Sequence, residues 1–229
     1  MQTKLERIAN IAKERPEERF TSLVHLINEE SLIQAHRQMK AKKVPGIDRV
    51  TKDRYQENLK ENIEDLLTRM KRNAYRSQPV LRKYIPKIGT KTRPLGIPAY
   101  EDKLIQWVLK EILEVIYEQD FLNCSYGFRP NLGCHKALKA LNYIIEKEKI
   151  NYIVDVDIKG FFEHLDHKKL MEFLSIRIAD PRINRLIVKC LKAGVVEEGR
   201  FLPTSEGTPQ GGIISPLLAN IYLHYVLDL

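Results

Sequence analysis

The chain has 229 residues, 43% of them apolar, enough for one domain or for two subdomains that share a core. A formal net charge of +8 directs attention to polyanionic partners. Three cysteines, none in CxxC spacing, exclude a disulfide framework and a cysteine zinc cluster, and no apolar run is long enough to span a membrane. The composition reads as a soluble protein of a reducing cytoplasm, with mostly buried thiols.

In chain order, the N-terminal stretch MQTKLERIANIAKERPEERF is amphipathic and charged. Residues 56–72 place Leu59, Ile63, Leu66, Leu67 and Met70 on one helical face. VLRKYIPKIGTKTRPLGIP reads as a hairpin, with strands near 80–87 and 91–97 and a turn at 88–90. A long helix is predicted over 101–118 from Leu104, Ile105, Val108, Leu109, Ile112, Leu113 and Ile116, with Glu101 and Asp102 in its first turn. Further helices are predicted over 134–147, 167–177 and about 181–193, and another opens near Ser215-Pro216. Tyr152–Ile158 reads as a buried strand. The mixture is α+β and rich in helix.

From Leu66 to Tyr100 there are nine basic residues and no acidic one: Arg69, Lys71, Arg72, Arg76, Arg82, Lys83, Lys87, Lys91 and Arg93. Tyr75, Tyr84 and Tyr100 are interleaved. Protein surfaces ordinarily mix charge signs, so the stretch reads as a phosphate-facing hairpin.

The strand YIVDVDI carries two carboxylates. Strand side chains alternate, so Ile153, Asp155 and Asp157 share one face and Val154, Val156 and Ile158 the other. An unpaired buried carboxylate is expensive. Asp157, at the strand end, stays ionised if a hard cation such as Mg²⁺ sits on it; the alternative is a cap for the next helix. The loop EGTPQGGIISP has Gly207, Gly211 and Gly212, which let backbone approach a ligand closely, and offers the amide of Gln210.

Five pieces, KKVPGIDRVT, KTRPLGIP, YGFRPNLGCHKAL, VDVDIKGFFEHLDH and GTPQGGIISPLLANIYL, together resemble a group II intron reverse transcriptase, or intron-encoded maturase, from about Lys42 to Leu229. The resemblance implies a right-hand polymerase fold. Residues 1–60 would be an N-terminal extension and first fingers motif, 61–150 fingers, and 151–229 an incomplete palm. It implies RNA-directed DNA synthesis coupled to intron RNA binding and splicing, with two Mg²⁺ ions. The partners would be intron RNA, RNA template, DNA primer and deoxynucleoside triphosphate, with no membrane, in a bacterial cytosol or organelle matrix. A homodimer stays open.

By the same resemblance Asp157 and the carbonyl of Ile158 are metal ligands, and Asp155 supports them from below. Lys87 and Arg93 grip the triphosphate, Phe162 excludes a 2′-hydroxyl, and Gln210 touches the nucleotide. Glu163 stands where the family commonly has aspartate. Lys42, Lys43, Arg49, Arg69, Lys71, Arg72, Arg76, Arg82, Lys83, Lys91 and Arg129 are candidate template or RNA contacts, Arg129 alternatively holding its own loop. The family's Tyr-x-Asp-Asp turn is expected beyond LHYVLDL, and Asp228 is no substitute for it. Residues 1–229 are thus expected to be a piece of a longer enzyme, inactive alone. The alternatives are a splicing cofactor without polymerase activity and a retron- or defence-type reverse transcriptase.

Overall fold

The computed structural model describes residues 1–86 and 92–229. The chain runs α1 (Gln2–Glu14), α2 (Glu29–Gln38), α3 (Lys52–Glu57), α4 (Leu59–Lys71), β1 (Val80–Pro86), β2 (Thr92–Ile97), α5 (Tyr100–Tyr117), α6 (Cys134–Lys147), α7 (His167–Arg177), α8 (Pro181–Leu191), β3 (Val195–Glu197), β4 (Arg200–Leu202) and α9 (Ser215–Leu223). A π-helical turn over His224–Asp228 follows α9. The sheet order is β2-β1-β3-β4, with β1 antiparallel to β2, parallel to β3, and β3 antiparallel to β4. The α+β expectation holds, and every predicted helix is present. The boundary drawn at residue 60 falls inside α4, and the β1–β3 pairing carries one sheet across the boundary at 150.

Helix starts follow local chemistry. Asn28 and Ser31 form a reciprocal capping box on α2, and Thr51, Asp166 and Asp180 cap α3, α7 and α8. Asp180 does more than cap. Its carboxylate accepts from Arg182 N and Ile183 N of α8 and also from Leu23 N (2.7 Å) and Val24 N (2.9 Å), 156 or more residues away in sequence. Burial alone would raise this carboxyl, but the four backbone donors outweigh it and hold it below its ordinary value.

The core forms around α5. Leu104, Ile105, Val108, Leu109, Ile112, Leu113 and Ile116 are fully buried, and α1, α2, α8 and α9 pack against the helix. At its C-terminal end the buried Arg177 of α7 donates to Asp120, to Ala12 O and to Pro16 O, joining α7 to α1 and to the segment after α5. An adjacent bridge pairs Phe20 with Ile178.

Three expectations are corrected. Residues 151–158 are not a buried strand. They pair with no other strand among the described residues, and both alternating sets are exposed: Ile153 64%, Val154 82%, Val156 79%. Alternation fixes which side chains share a face, but a ladder partner is needed to satisfy the backbone and cover that face. Helix α6 forms as predicted, yet none of its residues is buried. Secondly, Tyr75 and Tyr100 belong to the core and only Tyr84 is exposed, its hydroxyl bonded to Glu197. Thirdly, Cys190 is buried, but Cys124 and Cys134 are exposed.

Asp102, in the first turn of α5, is 2% exposed and accepts from the Tyr75 hydroxyl and from Gln78 N (2.9 Å). Burial pushes its carboxyl up to about 6 despite these bonds. The folded chain therefore binds this proton more readily than the unfolded chain, and the group's contribution to stability is fully present below about pH 4 and is lost as pH rises through about 6. We predict that Asp102→Asn removes a component of up to about 3 kcal/mol from the change in unfolding free energy between pH 4 and pH 7. Urea titrations across that range check it; an unchanged pH dependence would count against the buried charge.

Candidate active site

The segment after the two aspartates turns at Gly160, whose φ is +64°, into a short 3₁₀ turn over Phe161–Glu163. Phe161 packs edge-on against Tyr222 of α9, and Phe162 lines a cavity. The turn is sewn to the glycine-rich loop by backbone bonds. Thr208 N donates to Phe162 O (2.7 Å) and Gly207 N to Leu165 O (2.8 Å). The buried His167 ring bonds Gly207 O through Nε2 (2.6 Å).

Glycine is required here by the protein's own backbone. Gly207 has φ +79°, and a Cβ on it would lie 2.6 Å from Glu163 O; Gly211 has φ +113°, and a Cβ would lie 2.6 Å from Gly96 O. The sequence reading assigned these glycines to close approach of a ligand; in the structure the approaching groups are chain carbonyls.

The loop is held on two further sides. Gly96 N of β2 donates to Gln210 O, and Arg93 Nε donates to Gln210 Oε1 (3.0 Å). Ile213 N donates to Oε1 of the buried Gln106 in α5 (2.9 Å). Inside the loop, Thr208 Oγ1 donates to Ser215 Oγ (2.7 Å), which donates to Pro209 O (2.9 Å). A cavity of about 110 Å³ opens between these elements, lined in part by Arg82, Gly96, Phe162, Gly207 and Gln210. Phe162, Gln210 and Arg93 thus come together from three distant stretches of sequence. Sequence reasoning missed Gln106 and His167. A glutamine on the apolar face of a long helix was the available signal for the first; the second had none beyond its place after the Asp166 cap.

Asp155 and Asp157 lie on the exposed segment, and Ile158 is half exposed. Carboxylate and carbonyl oxygens are hard donors of the kind Mg²⁺ takes. Among the described residues no three acidic, histidine or cysteine side chains converge on a metal position. The donors fit the ion in type, and one carboxylate with one carbonyl is a partial set.

The basic candidates divide by their partners. Lys42, Lys43, Arg49, Lys71, Arg72, Arg76, Lys83 and Arg93 are exposed. Arg69 Nη2 donates to both carboxylate oxygens of Glu101 (2.7 and 2.9 Å) and Arg69 Nε to Asp65 (2.7 Å), and Arg82 pairs with Glu197 (3.2 Å). Of the two readings of Arg129, the contacts favour the second: its guanidinium bonds Glu118, Leu122 O (2.6 Å) and Ser125 O (2.8 Å), and lies over the Phe121 ring. With its side chain only 7% exposed, Arg129 holds its loop. Lys87 and Lys91 lie outside the described residues. No helix among the described residues is long and apolar enough to cross a membrane.

Residues 85–229 match the family described as reverse transcriptase (RNA-dependent DNA polymerase). The chain is 41% identical over 222 residues to the group II intron-encoded protein LtrA of Lactococcus lactis subsp. cremoris, covering 96% of this chain and 37% of that protein. It is 37% identical over 225 residues to protein YkfC of Escherichia coli K12, covering 95% and 59%. The chain therefore spans between about a third and three fifths of the length of these relatives. A chain of the solved partial Cas6-RT-Cas1–Cas2 complex superposes with a TM-score of 0.56 at 20% identity, covering 89% of this chain and 34% of that one, a likeness of fold.

We predict that Gly207→Ala, which forces a methyl group against Glu163 O at a positive φ, destabilises the fold by about 2 kcal/mol. Denaturant unfolding checks it; a loss below about 0.5 kcal/mol would mean that the seam relaxes freely.

Proposed function

The chain belongs to the reverse transcriptase family, of the group II intron-encoded kind, and from that premise we propose that it forms the fingers and part of the palm of an RNA-directed DNA polymerase. The observation that carries this reading is the meeting of Phe162 and Gln210 at one cavity, with Arg93 bonded to Gln210 beside it. In this reading 1–60 is the N-terminal extension with the first fingers motif, 61–150 the fingers, and 151–229 part of the palm.

Each residue has a task that its chemistry suits. The Arg93 fork and the Lys87 ammonium hold triphosphate oxygens. Gln210, its amide already oriented by Arg93, meets the incoming nucleotide through its remaining donors. The Phe162 ring fills the space a 2′-hydroxyl would need and offers it no hydrogen bond. Asp157 and the Ile158 carbonyl hold Mg²⁺, and Asp155 lies beside them. Two such ions, when bound, would supply the positive charge that phosphoryl transfer requires. Further carboxylates are needed, and a Tyr-x-Asp-Asp turn pairing with 152–158 would both complete the metal set and cover that segment. Residues 1–229 by themselves then bind RNA without extending a primer. Lys42, Lys43 and Arg49 lie over the template, and the exposed basic residues of 66–100 bind intron RNA, serving splicing as well as synthesis.

In the protein that carries the second carboxylate motif, Asp157→Ala should lower primer extension on an RNA template by at least about 10³-fold, about 4 kcal/mol, while RNA affinity changes less than twofold. Persisting extension would remove Asp157 from the metal site. Phe162→Ala should raise ribonucleotide incorporation relative to deoxyribonucleotide by tenfold or more, measured as the ratio of kcat/KM values. An unchanged ratio would show that another group discriminates the sugar.

A further inference from the structure

A second basic surface lies away from the cavity that holds Phe162 and Gln210. From Pro181 to Val196 the sequence has four basic residues and no acidic one: Arg182, Arg185, Lys189 and Lys192. Their spacings of three, four and three residues put them on one stripe of α8, opposite the face that buries Ile183, Leu186, Ile187 and Leu191. Between Arg182 and Lys192 the stripe spans about 15 Å at the helical rise.

Arg182, Arg185 and Lys189 of this stripe form one wall of a cleft of about 640 Å³, with the C-terminal end of α4 and the segment leading into α2 as the others. Lys71 reaches it from α4. The cations are set in place rather than neutralised. Arg185 Nη1 donates to Asn73 Oδ1 (2.9 Å), and Lys189 donates to Tyr75 O while lying over the Tyr75 ring. Among the described residues no carboxylate lies within ion-pair distance of Lys71, Arg182, Arg185 or Lys189, and Glu29 is the one acidic residue on the cleft wall. Burial, and after it the charges of Arg185 and Arg76, hold the Lys189 ammonium below its usual range, so like charges are crowded here. Such crowding is relieved by a polyanion.

The lining also selects the kind of polyanion. Sites for single strands interleave cations with exposed aromatic platforms. Here the wall has two aromatic rings: Tyr75, which is 1% exposed, and the single exposed imidazole of His25. A surface of clustered cations without a row of large aromatic platforms reads backbone and shape, as double-helical RNA is read.

We propose that the α4–α8 cleft is a docking site for the phosphate backbone of a double-helical RNA segment, separate from the nucleotide cavity. The proposal rests on the RNA-binding part of the function proposed above.

The test is the salt dependence of binding of a 16-base-pair RNA duplex to the 229-residue chain, read by fluorescence anisotropy. The variant Lys71→Ala/Arg182→Ala/Arg185→Ala should bind about tenfold more weakly at 100 mM KCl and lower the slope of log K against log salt by about 3. The variant Arg182→Lys/Arg185→Lys, which keeps charge but not the guanidinium geometry, should retain the wild-type slope. Urea midpoints confirm that each variant is folded. A parallel variant, Lys42→Ala/Lys43→Ala/Arg49→Ala, separates the two readings. If that variant loses duplex binding and the cleft variant binds within twofold of wild type, the cleft is overturned and the RNA-binding reading stands. If the wild-type chain does not bind the duplex, both fall.

Discussion

Helix α5 is apolar around most of its circumference, and the rest of the molecule is arranged to keep water from it. Each of its large apolar side chains contributes about 1.5–3 kcal/mol when fully buried. That drive gathers α1, α2, α8 and α9 from both ends of the sequence onto one axis. The two buried polar side chains of α5 depart from this pattern, and each organises something outside the core. Asp102 holds the Tyr75–Gln78 segment that leads into β1, and Gln106 holds the glycine-rich loop through Ile213. The helix that supplies the hydrophobic centre thus also locates both the entry to the hairpin and the loop that faces it.

Much of this was legible in the sequence. Periodic apolar residues located α4 and α5, and the Asp180-Pro181 pair marked the start of α8 through a cap and a proline at the first turn. What escaped depended on partners far away in the chain. The acid-free stretch from 66 to 100 suggests a surface of free cations, yet Arg69 and Arg82 meet Glu101 and Glu197, 32 and 115 residues on. Tyr75 and Tyr100 look like stacking platforms among lysines and arginines, but their rings complete the core. Arg129 sits in a polar turn that suits a ligand contact, and the carboxylate that claims it belongs to the end of α5. A pattern of residue types gives the face a side chain occupies; it does not give what covers that face, as residues 151–158 make plain.

The candidate site was legible in a different way. Its residues were picked out by resemblance, motif by motif, and nothing in their spacing required them to meet. The structure supplies the physical connection for three of them: the loop that carries Gln210 is bonded by backbone to the turn that carries Phe162, and by backbone and side chain to the strand that carries Arg93. Positive-φ glycines make these contacts short enough to act as a seam. The loop needs its unusual composition in order to be rigid, because each replacement of hydrogen by a methyl at 207 or 211 would push two backbones apart.

The seam has a mechanical consequence for the hairpin. The β1–β2 pair is gripped by backbone at its base, where Val80 N bonds Gly194 O and Gly96 N bonds Gln210 O; farther out the Arg82 and Tyr84 side chains reach Glu197, and Lys83, Ile85 and Pro86 face solvent. Seven residues of β1 make an arm of about 20 Å. With its fulcrum beside Gln210, a rotation of about ten degrees there carries the outer end through about 3.5 Å, more than the length of a hydrogen bond. The base of the arm and the wall of the cavity are the same few backbone atoms, so displacement of the hairpin's far end and the shape of the space around Phe162 are geometrically one variable.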